Sequence, residues 1–318
     1  MALAVLFLVL TGCSWIVVGA IIGLLGRRNL DVTLFQVINA SLVLFVSGAI
    51  ALVHPEGVFP PTGIPTRAWV FVVAGCLANG LFNYFMIECM GLAMRRGPNG
   101  AVWAIIQSGL VFPFLMGTFV FGEPMSAGRL AGILLILGSI VLYSMGKREP
   151  SAEGPSTTAR FGAWFAPALL GFACCGMNQC GANLPSFVEH GKEFPSAFRT
   201  MLCYVGLLLP GLVVAIRRAA AFHAKHEVWV TRRQVLQIAA IAAAEFTVSY
   251  LAILLLQFPA LDRLESLGRG SMGYPIMVGS CIAGFFPYGV LVLHEKVSVW
   301  QVLGAIVGIT GICLGSLL

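Results

Sequence analysis

Charge is what this sequence has least of. Asp, Glu, Lys and Arg make up 10% of the chain, against 58% hydrophobic residues and a mean hydropathy of +0.92. A soluble globular chain carries roughly a quarter charged residues. With so few charges no ordinary water-facing surface can be built, so the solvent around most of this protein is lipid. Period-two alternation is also missing, which excludes the segments of about ten residues that make a transmembrane β-barrel.

Other absences narrow the chemistry. The nine cysteines (Cys13, Cys76, Cys89, Cys174, Cys175, Cys180, Cys203, Cys281, Cys313) include no CxxC pair with metal spacing and all fall in apolar segments. They read as free, packed thiols rather than a disulfide or metal framework. No Gly-x-x-x-x-Gly-Lys-Ser/Thr loop exists to cradle ATP phosphates. His226-Glu227 and His294-Glu295 lack the second His of a zinc hydrolase, and no Gly-x-Ser-x-Gly elbow occurs. No ring-forming run of like charge or carbonyl filter suggests a channel. No cofactor is expected, and a membrane-embedded enzyme or a channel stands as the alternative to a transporter.

What the chain does contain is a series of long apolar segments. A bilayer core of about 30 Å takes roughly 20 residues of helix to cross. Segments 2–25, 32–53, 68–93, 100–121, 128–146, 161–181, 197–216, 235–258, 271–293 and 299–317 meet that description. The expected fold is an all-α integral membrane protein of ten transmembrane helices. Leu10-Thr11-Gly12-Cys13 looks like a lipoprotein cleavage box, but no basic residue precedes it and the apolar run continues to Leu25, so a first membrane helix is the better reading.

Residues 147–160 are rich in Pro, Ser and charge and read as a linker, leaving five helices on each side: repeats 1–146 and 161–318. The halves share features in a common order. Phe35 and Gly48 match Phe198 and Gly211, Gly100 matches Gly273, and Glu123, Ser126 and Gly132 match Glu295, Ser298 and Gly304. Because five is odd, the second half must start on the opposite side, giving a 5+5 inverted repeat. Secondary transporters recur in that construction, with substrate bound near the midplane between the halves.

The net charge of +6 sits in short clusters such as Arg27-Arg28 and Arg232-Arg233. That is an orientation signal and not a nucleic-acid footprint. Loops after odd-numbered helices hold Arg27, Arg28, Arg95, Arg96, Lys147, Arg148, Arg160, Arg217, Arg218, Lys225, Arg232, Arg233 and Lys296; those after even-numbered helices hold only Arg67, Arg129, Lys192, Arg263 and Arg269. This places the odd loops in the cytoplasm and both termini outside, in a multi-pass protein of the cytoplasmic (inner) membrane.

The stretch from Asn83-Tyr84 to Ser144 resembles the repeat unit of the drug/metabolite transporter superfamily, EamA-like. Its marks are the break Gly97-Pro98-Asn99-Gly100, then Gln107-Ser108, Gly122-Glu123, Gly132 and Gly138. The second copy shows Gly268-Arg269-Gly270-Ser271-Met272-Gly273, His294-Glu295 and Gly304. The run Asn79 to Gly91, with Met177-Asn178, is similar to the L-rhamnose and related sugar-uptake branch. The resemblance implies alternating-access transport of a small polar metabolite (a sugar, amino acid or similar), driven by H+ or Na+, by exchange or by facilitation. The chain would work as a monomer or homodimer in the lipid bilayer, without nucleic acid.

Polar groups inside the bilayer mark the candidate site, since a central charge costs about 2.5–3.5 kcal/mol on insertion scales. Glu245 lies deep in helix eight, with Ser249 one turn later on the same face; it reads as a substrate contact or protonatable coupling group, against a merely packed carboxyl. Glu88 is closer to a helix end and could reach the interface. Asn79 and Asn83 share a face of helix three, and Gln179 and Asn183 form a similar pair in helix six, with Asn178 beside them. Carboxamides suit hydroxyl-rich solutes and serve equally as interhelical glue. Gln107 and Ser280 occupy matched positions in helices four and nine, and Trp103 is placed to stack on a ring or simply to pack. Arg199 reads as an interfacial cation, Glu123 and Glu295 as loop or gate residues. Gly304, Gly308, Gly311 and Gly315 form one stripe on helix ten, suited to internal packing more than to dimerisation.

Overall fold

The computed structural model describes residues 1–122, 125–145, 157–294 and 297–317, and among them no strand occurs. The long helices are α1 (Ala2–Arg27), α2 (Val32–Val53), α3 (Thr66–Met94), α4 (Asn99–Phe119), α5 (Ala127–Met145), α6 (Thr157–Phe187), α7 (Ser196–Ala224), α8 (Arg232–Glu265), α9 (Gly273–Leu291) and α10 (Val299–Leu317). Among the described residues seven of them, α1 to α4 and α7 to α9, are long and apolar enough to cross a bilayer. The chain is an all-helical, multi-pass membrane protein. Its outer surface agrees, because Phe45, Leu52, Phe119 and Leu291 stand exposed where a soluble protein would bury them.

Three expected spans are helical but fall outside that set of seven. The apolar stretches of α5 and α10 are the shorter Leu130–Leu142 and Val299–Leu314. α6 is 31 residues long, but Pro167 and Pro185 lie inside it and Asn178, Gln179 and Asn183 dilute its apolar run. α6 also begins at Thr157, inside the stretch expected as linker, whose residues 147–156 lie outside the described ones. The gate candidates Glu123 and Glu295 lie outside them too.

Local chemistry sets the helix ends and breaks. Asp31 caps α2 by accepting the Leu34 amide at 2.8 Å, and Thr231 with Gln234 forms a reciprocal capping box at the start of α8. α7 continues through Ala219-Ala220-Ala221, strong helix formers, to Ala224. Arg217 and Arg218, expected in a loop, therefore ride on its last turns. α8 runs past its expected end at 258 to Glu265 because a π-helical segment, Ala252–Gln257, precedes Pro259. Pro259 has no amide to offer Leu255, and the wider turn absorbs that loss. In α4 the stretch Ser108–Leu110 narrows to 3₁₀ geometry ahead of Pro113, which likewise cannot bond Gly109.

The helices pack in a defined set of pairs. α3 lies against α6 and α7, and α8 against α1 and α2. α1 packs on α9, α6 on α4, α2 on α7, α4 on α9, and α5 on α10. Gly80 and Gly206 bring α3 and α7 into backbone contact: a Cβ on Gly80 would strike the Cys203 carbonyl, and one on Gly206 the Leu77 carbonyl. On α10, Gly308 meets Ser139 and Gly311 meets the Gly132 carbonyl, both on α5. The glycine stripe thus turns inward at these two positions.

Candidate functional site

Glu245 lies thirteen residues after Arg232 and twenty before Glu265, remote from both ends of α8. It is 6% exposed, so its side chain does not face lipid. Asn39 on α2 donates its side-chain amide to Glu245 Oε2, and the same nitrogen is 3.4 Å from the Ala242 carbonyl. Ser249, one turn on, is also buried and lies beside the same carboxyl.

These groups form one wall of a cavity of about 130 Å³. Seating one water takes roughly 10–15 Å³ of such volume, so the space accommodates a small solute. Gln36 and Asn39 come from α2, Asn79 and Asn83 from α3, Trp103 and Gln107 from α4, and Asn178 and Gln179 from α6. Tyr204 on α7, Ser249 and Gln257 on α8, Trp15 on α1 and Tyr274 on α9 complete the polar and aromatic lining. Gln107 and Gln257 stand at the irregular turns of α4 and α8, where the prolines interrupt the ladder.

Carboxamides dominate the chemistry. Asn79 Nδ2 donates to the Asn178 carbonyl at 3.0 Å and to its side-chain oxygen, while Asn178 Nδ2 donates to Asn83 Oδ1 at 3.1 Å. This amide chain joins α3 to α6 across the cavity edge. Gln36 Oε1 and Gln179 Oε1 are buried in the wall without partners. Trp103 is fixed by donating to Cys281 Sγ at 3.2 Å and by packing on Phe285 with ring centroids 4.9 Å apart. Among the described residues Glu245 is the only Asp, Glu, Lys, Arg or His lining the space. Among the described residues no group of three His, Cys, Asp or Glu could hold a metal ion.

No family model matches the chain, and no curated protein matches it in sequence. One solved structure, described only as "Crystal structure of protein", superposes with a TM-score of 0.53 at 16% identity, covering 99% of this chain and 96% of that one. At that identity the likeness is one of fold.

Of the residues singled out from sequence, the structure gathers Glu245, Ser249, Asn79, Asn83, Trp103, Gln107, Asn178 and Gln179 around this cavity. It places three elsewhere. Ser280, matched to Gln107 in the sequence, is not in the lining, and its hydroxyl donates to the Ile276 carbonyl at 2.8 Å. Asn183 is buried outside the lining with neither side-chain atom bonded, so it is Asn178 rather than the Gln179–Asn183 pair that meets Asn79 and Asn83. Glu88 sits at one end of the cavity, outside its wall. Sequence reading missed Gln36, Asn39, Tyr204, Gln257, Tyr274 and Trp15. A signal for two of them was present, since Gln36 and Asn39 are three residues apart on one face of an otherwise apolar segment.

Polar clusters adjoin the cavity lining at Gln36 and at Phe258. At the start of α2, Glu88 Oε1 accepts from Thr33 at 2.7 Å and from Gln36 at 3.2 Å. Arg218 donates to Asp31 at 2.9 Å and lies 3.6 Å from Glu88 Oε2. Beside Phe258, Arg199, expected at the interface, is only 1% exposed. It forms a two-pronged pair with Asp262 of α8, 3.0 Å on one prong, and its guanidinium lies 4.7 Å from the ring of Phe258, a cavity residue. Ser186 of α6 donates to the same carboxylate at 2.8 Å. Burial forces this arginine to find a partner, which a free interfacial cation would not need.

Proposed function

We propose that this chain is a secondary transporter that moves a small polar metabolite across the cytoplasmic membrane by alternating access. The observation that carries the reading is the amide-rich cavity around Glu245, lined by α1 to α4 and α6 to α9. Interrupted helices beside a central cavity are a transporter construction, and α4 and α8 are both interrupted there.

The packing supports a 5+5 inverted repeat of ten helices. Exchanging each helix of α1–α5 with the one five places later turns the set of pairs into itself. α3 on α6 becomes α8 on α1, α3 on α7 becomes α8 on α2, and α1 on α9 becomes α6 on α4. The pairs α2–α7, α4–α9 and α5–α10 map onto themselves. The end clusters follow the same rule: Gln36 and Arg199 stand at the offset that relates Phe35 to Phe198, and each reaches a carboxylate on the next helix, at opposite ends of the cavity.

With no cation among the described residues of the wall, the cavity suits neutral, hydroxyl-bearing solutes better than organic anions, and carboxamides supply both donors and acceptors for them. Glu245 is the candidate for coupling to H+ or Na+. The resemblance to the EamA-like drug/metabolite transporters points the same way. Purified protein is first screened for solutes that raise its melting temperature, since a bound ligand stabilises by mass action. The best of them is then followed into proteoliposomes. Saturable uptake and counterflow are expected; unsaturable conductance would make the chain a channel, and chemical turnover an enzyme.

A further inference from the structure

We propose that Arg218 closes a gate at the end of the cavity where α2 begins and α7 ends, and that opening this end requires its ion pairs to break. The inference rests on the alternating-access reading, in which one end of the cavity must open while the other stays shut.

Arg218 and Arg199 lie on the same helix nineteen residues apart, about 28 Å at 1.5 Å per residue. The cavity residues Cys203, Tyr204 and Leu207 stand between them. α7 therefore carries one arginine near each membrane face, and each closes a cluster over the cavity. The two clusters differ in what they join. Arg199, Asp262 and Ser186 all belong to the second half of the chain. Arg218 belongs to the second half but pairs Asp31 on α2 and Glu88 on α3, both of the first half. Trp229, in the segment leading to α8, donates to the same Asp31 oxygen at 3.2 Å and adds a second tie between the halves. A relative movement of the halves leaves the Arg199 pair intact and must pull the Arg218 pairs apart.

The strengths fit that division. The Arg199 side chain is 2% exposed, whereas that of Arg218 is 39% exposed. Ion pairs that border water are weak and readily broken, while a buried pair is costly to open. Gln36 connects the gate to the cavity: its Nε2 holds Glu88, and its Oε1 is buried in the cavity wall without a partner. The lock is thus built directly onto the surface that an occupant touches.

The test uses the full chain with Trp69, Trp164, Trp229 and Trp300 changed to Phe, so that only Trp15 and Trp103, both in the cavity lining, fluoresce; the Trp229 tie is then absent from the parent and every variant alike, and the Arg218 pairs are read alone. Acrylamide, a small polar amide, is the probe, and no transported solute is needed. Asp31→Asn and Arg218→Gln should raise quenching severalfold at an unchanged melting temperature. Arg217→Gln, which alters an exposed neighbour outside the cluster, should not. Arg218→Lys, which keeps a cation between Asp31 and Glu88, should keep quenching low. If Arg218→Gln melts early, Asp31→Asn, which keeps the cap of α2, decides: quenched tryptophans uphold the gate and protected ones overturn it. Equal quenching in the parent and the Asp31→Asn and Arg218→Gln variants overturns it as well, whatever transport assays show. Absence of uptake, with the quenching pattern as expected, would count against the transport reading alone.

Discussion

Asn39 on α2 donates its carboxamide to Glu245 on α8, across 206 residues of sequence. This one bond ties a helix of each half together at the polar wall of the cavity and aims the carboxyl away from lipid. Glu245→Gln keeps the shape and removes the charge. If Glu245 couples proton movement, the variant loses pH-driven uptake while exchange or binding persists in part. Wild-type rates and pH dependence at normal expression would refute the coupling role. Asn39→Leu strands the carboxyl instead and should cost about 1–3 kcal/mol of stability, the penalty for a buried polar group left unbonded.

The amide chain Asn79–Asn178–Asn83 gives a second expectation. Asn178→Ala removes the central side chain: Asn83 loses its partner, while Asn79 keeps its bond to the carbonyl of residue 178. Asn83 is half-buried, so the loss should sit near the low end, about 1 kcal/mol. A double-mutant cycle with Asn79→Ala, read by thermal unfolding in detergent, should show coupling between the two sites. Additive effects would mean that α3 and α6 are held by their packing and not by these bonds.

Arg199 and Asp262 form a buried pair, and removing one partner of such a pair costs about 3–5 kcal/mol. Arg199→Leu should therefore destabilise strongly. The double change Arg199→Leu, Asp262→Leu should recover much of the loss, because no unpaired charge is left inside. A double variant weaker than the single one would contradict the pair's burial.

Gly311 on α10 touches the Gly132 carbonyl on α5, where a larger side chain has no room. Gly311→Leu should cost about 1–3 kcal/mol through overpacking. The melting temperature should fall while the oligomeric state, followed by light scattering, stays the same. A change from dimer to monomer without a loss of thermal stability would show that this face meets a second copy.

Outside the membrane spans, His190 Nδ1 lies 2.6 Å from Glu193 Oε1, and this carboxylate raises the imidazole above its ordinary pKa of 6.5. A raised pKa means that the interaction contributes fully below pH 6.5 and is lost as pH rises through the folded value. The pair is exposed, so its effect on stability is small and is best read by titration. Glu193→Gln should bring the His190 midpoint, followed by NMR, down towards its ordinary value. An unmoved midpoint would remove Glu193 as the cause.

Composition alone determined the solvent and the element type. A chain that is 58% hydrophobic and 10% charged cannot face water, and in lipid the backbone must satisfy its own hydrogen bonds, which leaves apolar helices as the solution. The rarity of polar groups in those helices also made Glu245, Asn79, Asn83 and Asn178 conspicuous, since each is costly without a partner. Their partners were decided only by the tertiary structure. Asn39 meets Glu245, and Arg199 meets Asp262, through helix packing that brings distant segments face to face. No local pattern records which face of α2 turns toward α8. The helix ends follow the same division: the extension of α8 through its π-helical turn to Asp262 depended on how the chain accommodates Pro259, and that extension carries the carboxylate to the buried Arg199.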